Sequence, residues 1–264
     1  RLSERSLRRG PQFGGLMMDA ARAITLVAAQ TDADAARIAS LGAPNVAVTG
    51  SIKFDVVPPA AALDTGAMLR ARCGDRPVLL CASTREGEEA LILDAYKALD
   101  ARPAGMLLVL VPRHPQRFDE VAQMVEGRGL TLARRSALPE RVVTDVLLGD
   151  SMGEMFAYYA ACDCAFIGGS LLPLGGQNLI EACALARPVL VGEHTFNFLQ
   201  ATEEAVAAGA ALRVSDAPTL LRAAAGLLDD DARRAAMGAQ ALAFASRHRG
   251  ATVRTVELLQ QIIA

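Results

Sequence analysis

The stretch from Gly168 to Cys183, GGSLLPLGGQNLIEAC, gathers flexible and polar residues inside an otherwise apolar chain. Its glycine pairs, Gly168–Gly169 and Gly175–Gly176, begin seven residues apart. Glycine adopts positive φ and lets a backbone approach a ligand closely. A helix beginning near Gln177 would carry Gln177, Asn178 and Glu181 on one face, because residues three and four apart are neighbours there. A carboxylate one turn inside that helix could accept both hydroxyls of a ribose while the helix end faces a phosphate. The plainer reading is a tight turn followed by an acid that the helix dipole favours.

Four other segments share this character. Ser83–Glu86 puts Ser83, Thr84 and Arg85 where a helix opens, and free amides at a helix start attract anions. The same residues also fit a capping box between Ser83 and Glu86. Arg113 and His114 are locked between Pro112 and Pro115. An arginine there forks onto phosphate or carboxylate oxygens, and the histidine donates to an anion or caps the helix that follows. In Gly149–Glu154, Ser151 and Glu154 again have capping-box spacing, and an exposed Met152 beside Gly153 would pack on a flat base. His194–Asn197 reads as a loop with Asn197 as N-cap. His248, set among arginines, reads as a surface residue.

These segments need a scaffold, and the apolar pattern supplies one. Strands are predicted at 24–29, 46–48, 78–81, 106–111, 142–147, 164–167, 188–191 and 211–214. Helical patterns occupy 31–41, where Thr31 and Asp34 form a capping box, then 87–99, 115–126, 152–160, 177–185 and 197–208, with closing helices near 216–228, 231–246 and 252–262. Pro58 and Pro59 with a small-residue run read as a linker. Strands alternating with helices imply an α/β, Rossmann-like parallel sheet covered on both faces. Such sheets bind ligands beyond the carboxyl ends of their strands, and all five polar segments follow a predicted strand.

Composition narrows the function. The chain has 264 residues, 52% of them hydrophobic, and a net charge of -2, which gives no general attraction to nucleic acid. The five cysteines have no zinc spacing and lie in apolar runs, so they read as reduced, buried thiols and no metal site is expected. No apolar run approaches the ~20 residues of a membrane span. No GxGxxG, Walker loop, HExxH or nucleophile elbow is present, so no cofactor is expected and a plain dinucleotide enzyme, ATPase or hydrolase is disfavoured.

Taken in order, RLSERS, TGSIKFD, ASTREGEE, VPRHPQRF, GDSMGEM and FIGGSLLPLGGQNLIEACALARPVLVGEHTFNF resemble the bacterial 3-deoxy-D-manno-octulosonic acid (Kdo) transferases over nearly the whole chain. The resemblance implies a GT-B glycosyltransferase with two Rossmann-like domains. It also implies inverting transfer of Kdo from CMP-Kdo to a lipid A precursor in lipopolysaccharide synthesis, at the cytoplasmic face of the bacterial inner membrane. Residues 1–57 then correspond to the tail of the N-terminal acceptor domain and residues 58–264 to the donor domain. Arg113 and His114 match the Pro-Arg-His motif at the nucleotide. Ser83 and Thr84 match the loop facing the donor, and Met152 and Gly153 the segment beside the base. Gly169, Gly175, Gly176, Gln177, Asn178, Glu181 and Asn197 match the donor loop and its surroundings.

The sequence departs from the family at Arg85 and Gln177, where histidine is expected, and in Leu179 and Ala182, where prolines are expected. The family's general base is a glutamate in a glycine-rich stretch ahead of RLSERS. The expectation is therefore a chain truncated or processed within the N-terminal domain, with no catalytic residue of its own, soluble alone, and with peripheral membrane association left to the part outside it. Two other readings fit the same loops: a different GT-B enzyme such as an epimerase, and a nucleotide-binding module without catalysis.

Overall fold

The computed structural model describes residue 2, residues 4–9 and residues 15–263; of the RLSERS run, residues 1 and 3 lie outside that set. The chain forms two compact units, Arg1–Val56 with Ser246–Ala264, and Val57–Ala245. The first boundary falls beside the division expected after residue 57, whereas the residues from 246 onward, expected in the donor domain, join the first unit.

The first unit opens with α1 (Glu4–Arg9) and α2 (Leu16–Ala23), neither foreseen from the sequence. Then follow β1 (Val27–Ala29), α3 (Asp32–Ala39) and β2 (Val46–Val48). The Thr31 hydroxyl accepts the Asp34 N–H at 3.0 Å and caps α3, as its spacing predicts. β1 and β2 pair in parallel, with Val27 opposite Val46. A short 3-10 turn, Ile52–Asp55, closes the segment. The Asp55 carboxylate accepts the Gly250 and Thr252 N–H groups, each at 2.5 Å. His248, expected at the surface, is half-buried, because its ring lies 4.6 Å from that of Phe54.

The second unit starts with α4 (Ala60–Cys73), where a linker was expected. Pro59 precedes its first turn, where a proline's missing N–H costs nothing, and Leu69 and Cys73 are buried. There follow β3 (Val78–Thr84), α5 (Glu88–Lys97), β4 (Leu107–Pro112), α6 (Phe118–Glu126), β5 (Leu132–Arg134), β6 (Val146–Leu148) and α7 (Met155–Ala161). Next come β7 (Cys164–Ile167), α8 (Ile180–Ala184), β8 (Val189–Val191), α9 (Leu199–Ala207), β9 (Ala211–Arg213), α10 (Ala217–Leu228) and α11 (Asp231–Arg247). The last helix, α12 (Ala251–Ile263), belongs to the first unit. β5 was not foreseen. The strand expected from Val142 begins at Val146 instead, and Val142 is buried with its N–H donated to Arg72 O.

The sheet order is β5-β6-β4-β3-β7-β8-β9, and every pairing is parallel. Parallel strands buried on both sides read as continuous apolar runs, and these do. Leu79, Cys81, Leu108, Leu110, Cys164 and Phe166 pack with Ile92, Leu93 and Tyr96 of α5 and with Leu220 and Leu221 of α10. The alternate residues Leu80, Val109, Leu147 and Ala165 are buried as well, so the opposite face is also covered. Among the covering helices, α4 and α7 meet closely at Gly66, where an added Cβ would lie 2.5 Å from Ala160 Cβ and 2.9 Å from Ala157 O. The strand order reverses between β3 and β7, which makes their carboxyl ends the switch point of the sheet.

Gly66→Val is therefore expected to overpack the α4–α7 contact and lower stability by about 1–3 kcal/mol. Denaturant unfolding reads this directly, and an unchanged midpoint would refute the close contact.

Candidate functional site

At the carboxyl ends of β3, β4 and β6 and on the segment after β7 lies a cleft of about 340 Å³. Ser83, Arg113, Met152, Gly153, Gln177, Asn178 and Glu181 all line it. The sequence separates these residues by up to almost a hundred positions, and the sheet brings them together.

β3 does not end smoothly. Its register against β4 slips between Ala82 and Thr84, and Ser83 adopts φ +55°. A non-glycine residue in that region is strained and persists only where its surroundings hold it. Thr84 O accepts the Arg113 N–H at 2.9 Å, and Ala82 O accepts the Gly168 N–H at 2.8 Å. Gly168 then runs so close to β3 that a Cβ there would lie 2.6 Å from Thr84 Cα and would also strike Ser83 O. This glycine is required by close backbone packing.

The start of α5 holds these pieces together. Glu88 and Glu89 are both fully buried. The Glu88 carboxylate accepts three backbone N–H groups: Gly169 at 2.6 Å, Arg85 at 2.9 Å and Leu171 at 3.0 Å. Glu89 accepts the Thr84 hydroxyl at 3.0 Å and Arg117 Nη2 at 3.2 Å. Burial pushes the Glu89 carboxyl above the ordinary range, and Arg117 and Thr84 oppose that rise. The capping box expected between Ser83 and Glu86 does not form, because α5 starts at Glu88 and Glu88 takes the Arg85 N–H. Thr84 is fully buried and does not line the cleft. Neither glutamate was singled out from the sequence, although a signal was present. The buried stripe of Ile92, Leu93 and Tyr96, extended back by one helical turn, lands on Glu88 and Glu89.

The glycine segment is a closed loop before it becomes a helix. Gly169 O accepts the Gly176 N–H at 2.7 Å, and Gly168 O accepts the Gln177 N–H at 3.1 Å. With those groups committed, the helix begins at Ile180, three residues later than expected from Gln177, so Glu181 sits in its first turn and not one turn inside. The Asn178 Oδ1 accepts the Ile180 N–H at 3.1 Å, and its Nδ2 donates to Glu181 Oε1 at 3.0 Å. Burial pushes the Glu181 carboxyl up, while Asn178 and the Arg113 charge pull it down. Beneath it, the fully buried Tyr159 phenol is pushed well above its usual range by burial first and the Glu181 charge second.

The remaining expected residues surround the cleft without lining it. Gly169, Gly175 and Gly176 all have positive φ. The room beside Gly175 is already filled by Asn197 and Phe196. Asn197 does not cap a helix, since α9 starts at Leu199 after Phe198. Its side chain donates to Leu174 O at 3.3 Å and Gly176 O at 3.4 Å, clasping the glycine loop. His114 is half-buried and makes no side-chain cap. On the far wall, Ser151 Oγ donates to Glu154 Oε2 at 2.6 Å and lies 2.7 Å from the Tyr158 hydroxyl, while Arg135 holds the other Glu154 oxygen at 2.8 Å. That network fixes the turn bearing Met152, which is 57% exposed. All five cysteines are free and buried, and burial pushes Cys162 and Cys183 up to about 12. Among the described residues no group of side chains could hold a metal ion, and no helix is long and apolar enough to cross a membrane.

Known proteins resemble this chain in sequence and fold. The family model described as 3-Deoxy-D-manno-octulosonic-acid transferase (kdotransferase) matches residues 1–56. The 3-deoxy-D-manno-octulosonic acid transferase of Bordetella pertussis is 50% identical over 98% of this chain, and that of Haemophilus influenzae is 38% identical over 98%. The chain spans 62% of the length of each of these relatives. Among solved structures, the C-terminal CMP-Kdo binding domain of WaaA from Acinetobacter baumannii is 34% identical, with a TM-score of 0.65, over 70% of this chain and 98% of that one. Anabaena Alr3699/HepE in complex with UDP and glucose, 18% identical with a TM-score of 0.59, covers 99% of this chain and 67% of that one and bears on the fold alone. The fold is of the GT-B type.

Gly168→Ala is expected to cost about 1–3 kcal/mol, because backbone atoms and not a movable side chain occupy the site of its Cβ. Thermal unfolding checks it, and a variant as stable as the parent would show that the loop does not press on β3.

Proposed function

We propose, from the premise that this chain belongs to the 3-deoxy-D-manno-octulosonic acid transferase family, that its Val57–Ala245 unit binds CMP-Kdo in the cleft at the carboxyl edge of the sheet. The whole protein then transfers Kdo to a lipid A precursor at the cytoplasmic face of the inner membrane, to which it attaches peripherally. The observation that carries the reading is the meeting, in one cleft, of a cation from the end of β4, a partly buried acid at the start of α8 and an exposed methionine on a fixed turn.

Each residue has a part that follows from its chemistry. The Arg113 guanidinium faces the phosphate and stabilises the charge that grows on it as the bond to the sugar breaks. Glu181, oriented by Asn178, accepts the ribose hydroxyls. Met152 and Gly153 pack against the base. Ser83 and Gln177 flank the phosphate, while Thr84, His114, Gly169, Gly175, Gly176 and Asn197 shape the loops around it. Deprotonation of the acceptor hydroxyl falls to the glutamate that the family resemblance puts outside these residues.

Titration with CMP, UDP and GDP tests the donor class. Preference for CMP supports the reading, and equal affinity for all three overturns it. Arg113→Ala is expected to weaken CMP binding by about 10- to 100-fold, the range of a lost hydrogen bond to a charged group. Unchanged affinity would remove Arg113 from the phosphate.

The raised Glu181 pKa sets a pH dependence. Cytidine is the suitable probe, since it carries the ribose without a titrating phosphate. Its affinity is full while Glu181 is ionised and falls as the pH drops through the raised value. Arg113→Ala removes a charge that lowers that value, so the fall moves to higher pH. A flat profile in both proteins would show that Glu181 does not hold the ribose.

A further inference from the structure

We infer that Glu88 is a positioning residue of the donor site, one that sets the phosphate-facing backbone of the glycine loop without touching the nucleotide. The inference rests on the reading of the cleft as a CMP-Kdo site. Glu88 has no exposed surface and is absent from the cleft wall. Its two oxygens are occupied by backbone donors on two separate segments. Oε2 accepts Gly169 N–H at 2.6 Å and Arg85 N–H at 2.9 Å, and Oε1 accepts Leu171 N–H at 3.0 Å. Arg85 belongs to the segment after β3, and Gly169 and Leu171 to the loop after β7. One carboxylate therefore clamps the two strand ends that flank the switch point of the sheet.

The geometry downstream depends on that clamp. Gly169 O receives the Gly176 N–H, and Gly168 O receives the Gln177 N–H. Fixing Gly169 thus fixes Gln177, which lines the cleft and flanks the phosphate in the proposed reading. No neutral side chain of the same shape can serve, because an amide offers one acceptor oxygen and would turn its NH2 group toward a backbone donor. Glu88→Gln therefore loses either the bond to Leu171 or the pair to Gly169 and Arg85. Glu89, one residue on, serves Thr84 and Arg117 and does not replace it.

The test compares CMP with cytidine on the 264-residue chain and its Glu88→Gln variant. Loss of loop position should weaken CMP by roughly tenfold or more, while cytidine, which lacks the phosphate, changes less than about twofold. Amide hydrogen exchange on the same two proteins supplies a readout that needs no nucleotide. Either Leu171 or the pair Gly169 and Arg85 should lose protection in the variant, while Leu80 and Phe166 in the sheet keep theirs. Equal loss of CMP and cytidine affinity, or faster exchange throughout the sheet, would mean a merely structural role and overturn the inference. So would unchanged CMP affinity. Should the parent chain bind no CMP, the donor-site reading fails, and this inference about that site fails with it; the exchange pattern then still reports whether Glu88 holds the loop. Glu88→Asp, too short to span both segments, should resemble Glu88→Gln, and if Glu88→Asp binds CMP like the parent the span argument is wrong.

Discussion

Backbone N–H groups at the ends of buried parallel strands point into space that water does not reach, and each one left without an acceptor costs about 1–3 kcal/mol. At the switch point of this sheet three such donors converge, from Arg85, Gly169 and Leu171, and Glu88 answers all of them. Burying a carboxylate is itself costly unless its lone pairs are used. Here the two costs offset each other, and the result is a rigid knot where two loops of different origin must hold a fixed spacing.

Glu89 extends the knot toward β4. Thr84 and Arg117 share its oxygens, and Arg117 follows the turn that carries Arg113. Two consecutive residues on one helix turn therefore face different neighbours, one the glycine loop and the other the arginine turn. Both loops take their positions from α5, whose apolar stripe is anchored in the core by Ile92, Leu93 and Tyr96. The cleft residues can be exposed and polar because this layer beneath them is not.

Much of this was legible in the sequence. The strand series, the parallel sheet and the five polar segments at its carboxyl edge follow from apolar runs and turn residues, and the motifs pointed to the family. What escaped depends on tertiary hydrogen bonds. The delayed start of α8 follows from Gly168 and Gly169 carbonyls capturing the N–H groups of Gln177 and Gly176, which no local pattern encodes. Gly175 read as room for a ligand, but Asn197 and Phe196, more than twenty residues later, fill that room. α4 was hidden behind Pro58 and Pro59, because a proline pair marks a helix start as well as a linker. Glu88 and Glu89 carry no local signal of burial, and only the apolar stripe behind them gives them away.

The Asp55 carboxylate meets the amides of Gly250 and Thr252 across 195 and 197 residues of chain. During synthesis the two units therefore mature on different schedules. The Val57–Ala245 unit is continuous in sequence, and all of its strands are made before Gly250. The first unit is divided in sequence, so Asp55 is made before the Val57–Ala245 unit and meets Gly250 and Thr252 only after that unit has been translated. Through that interval the Asp55 carboxylate is without the Gly250 and Thr252 amides, so the tie between the two halves of the first unit is among the last contacts of this fold to close.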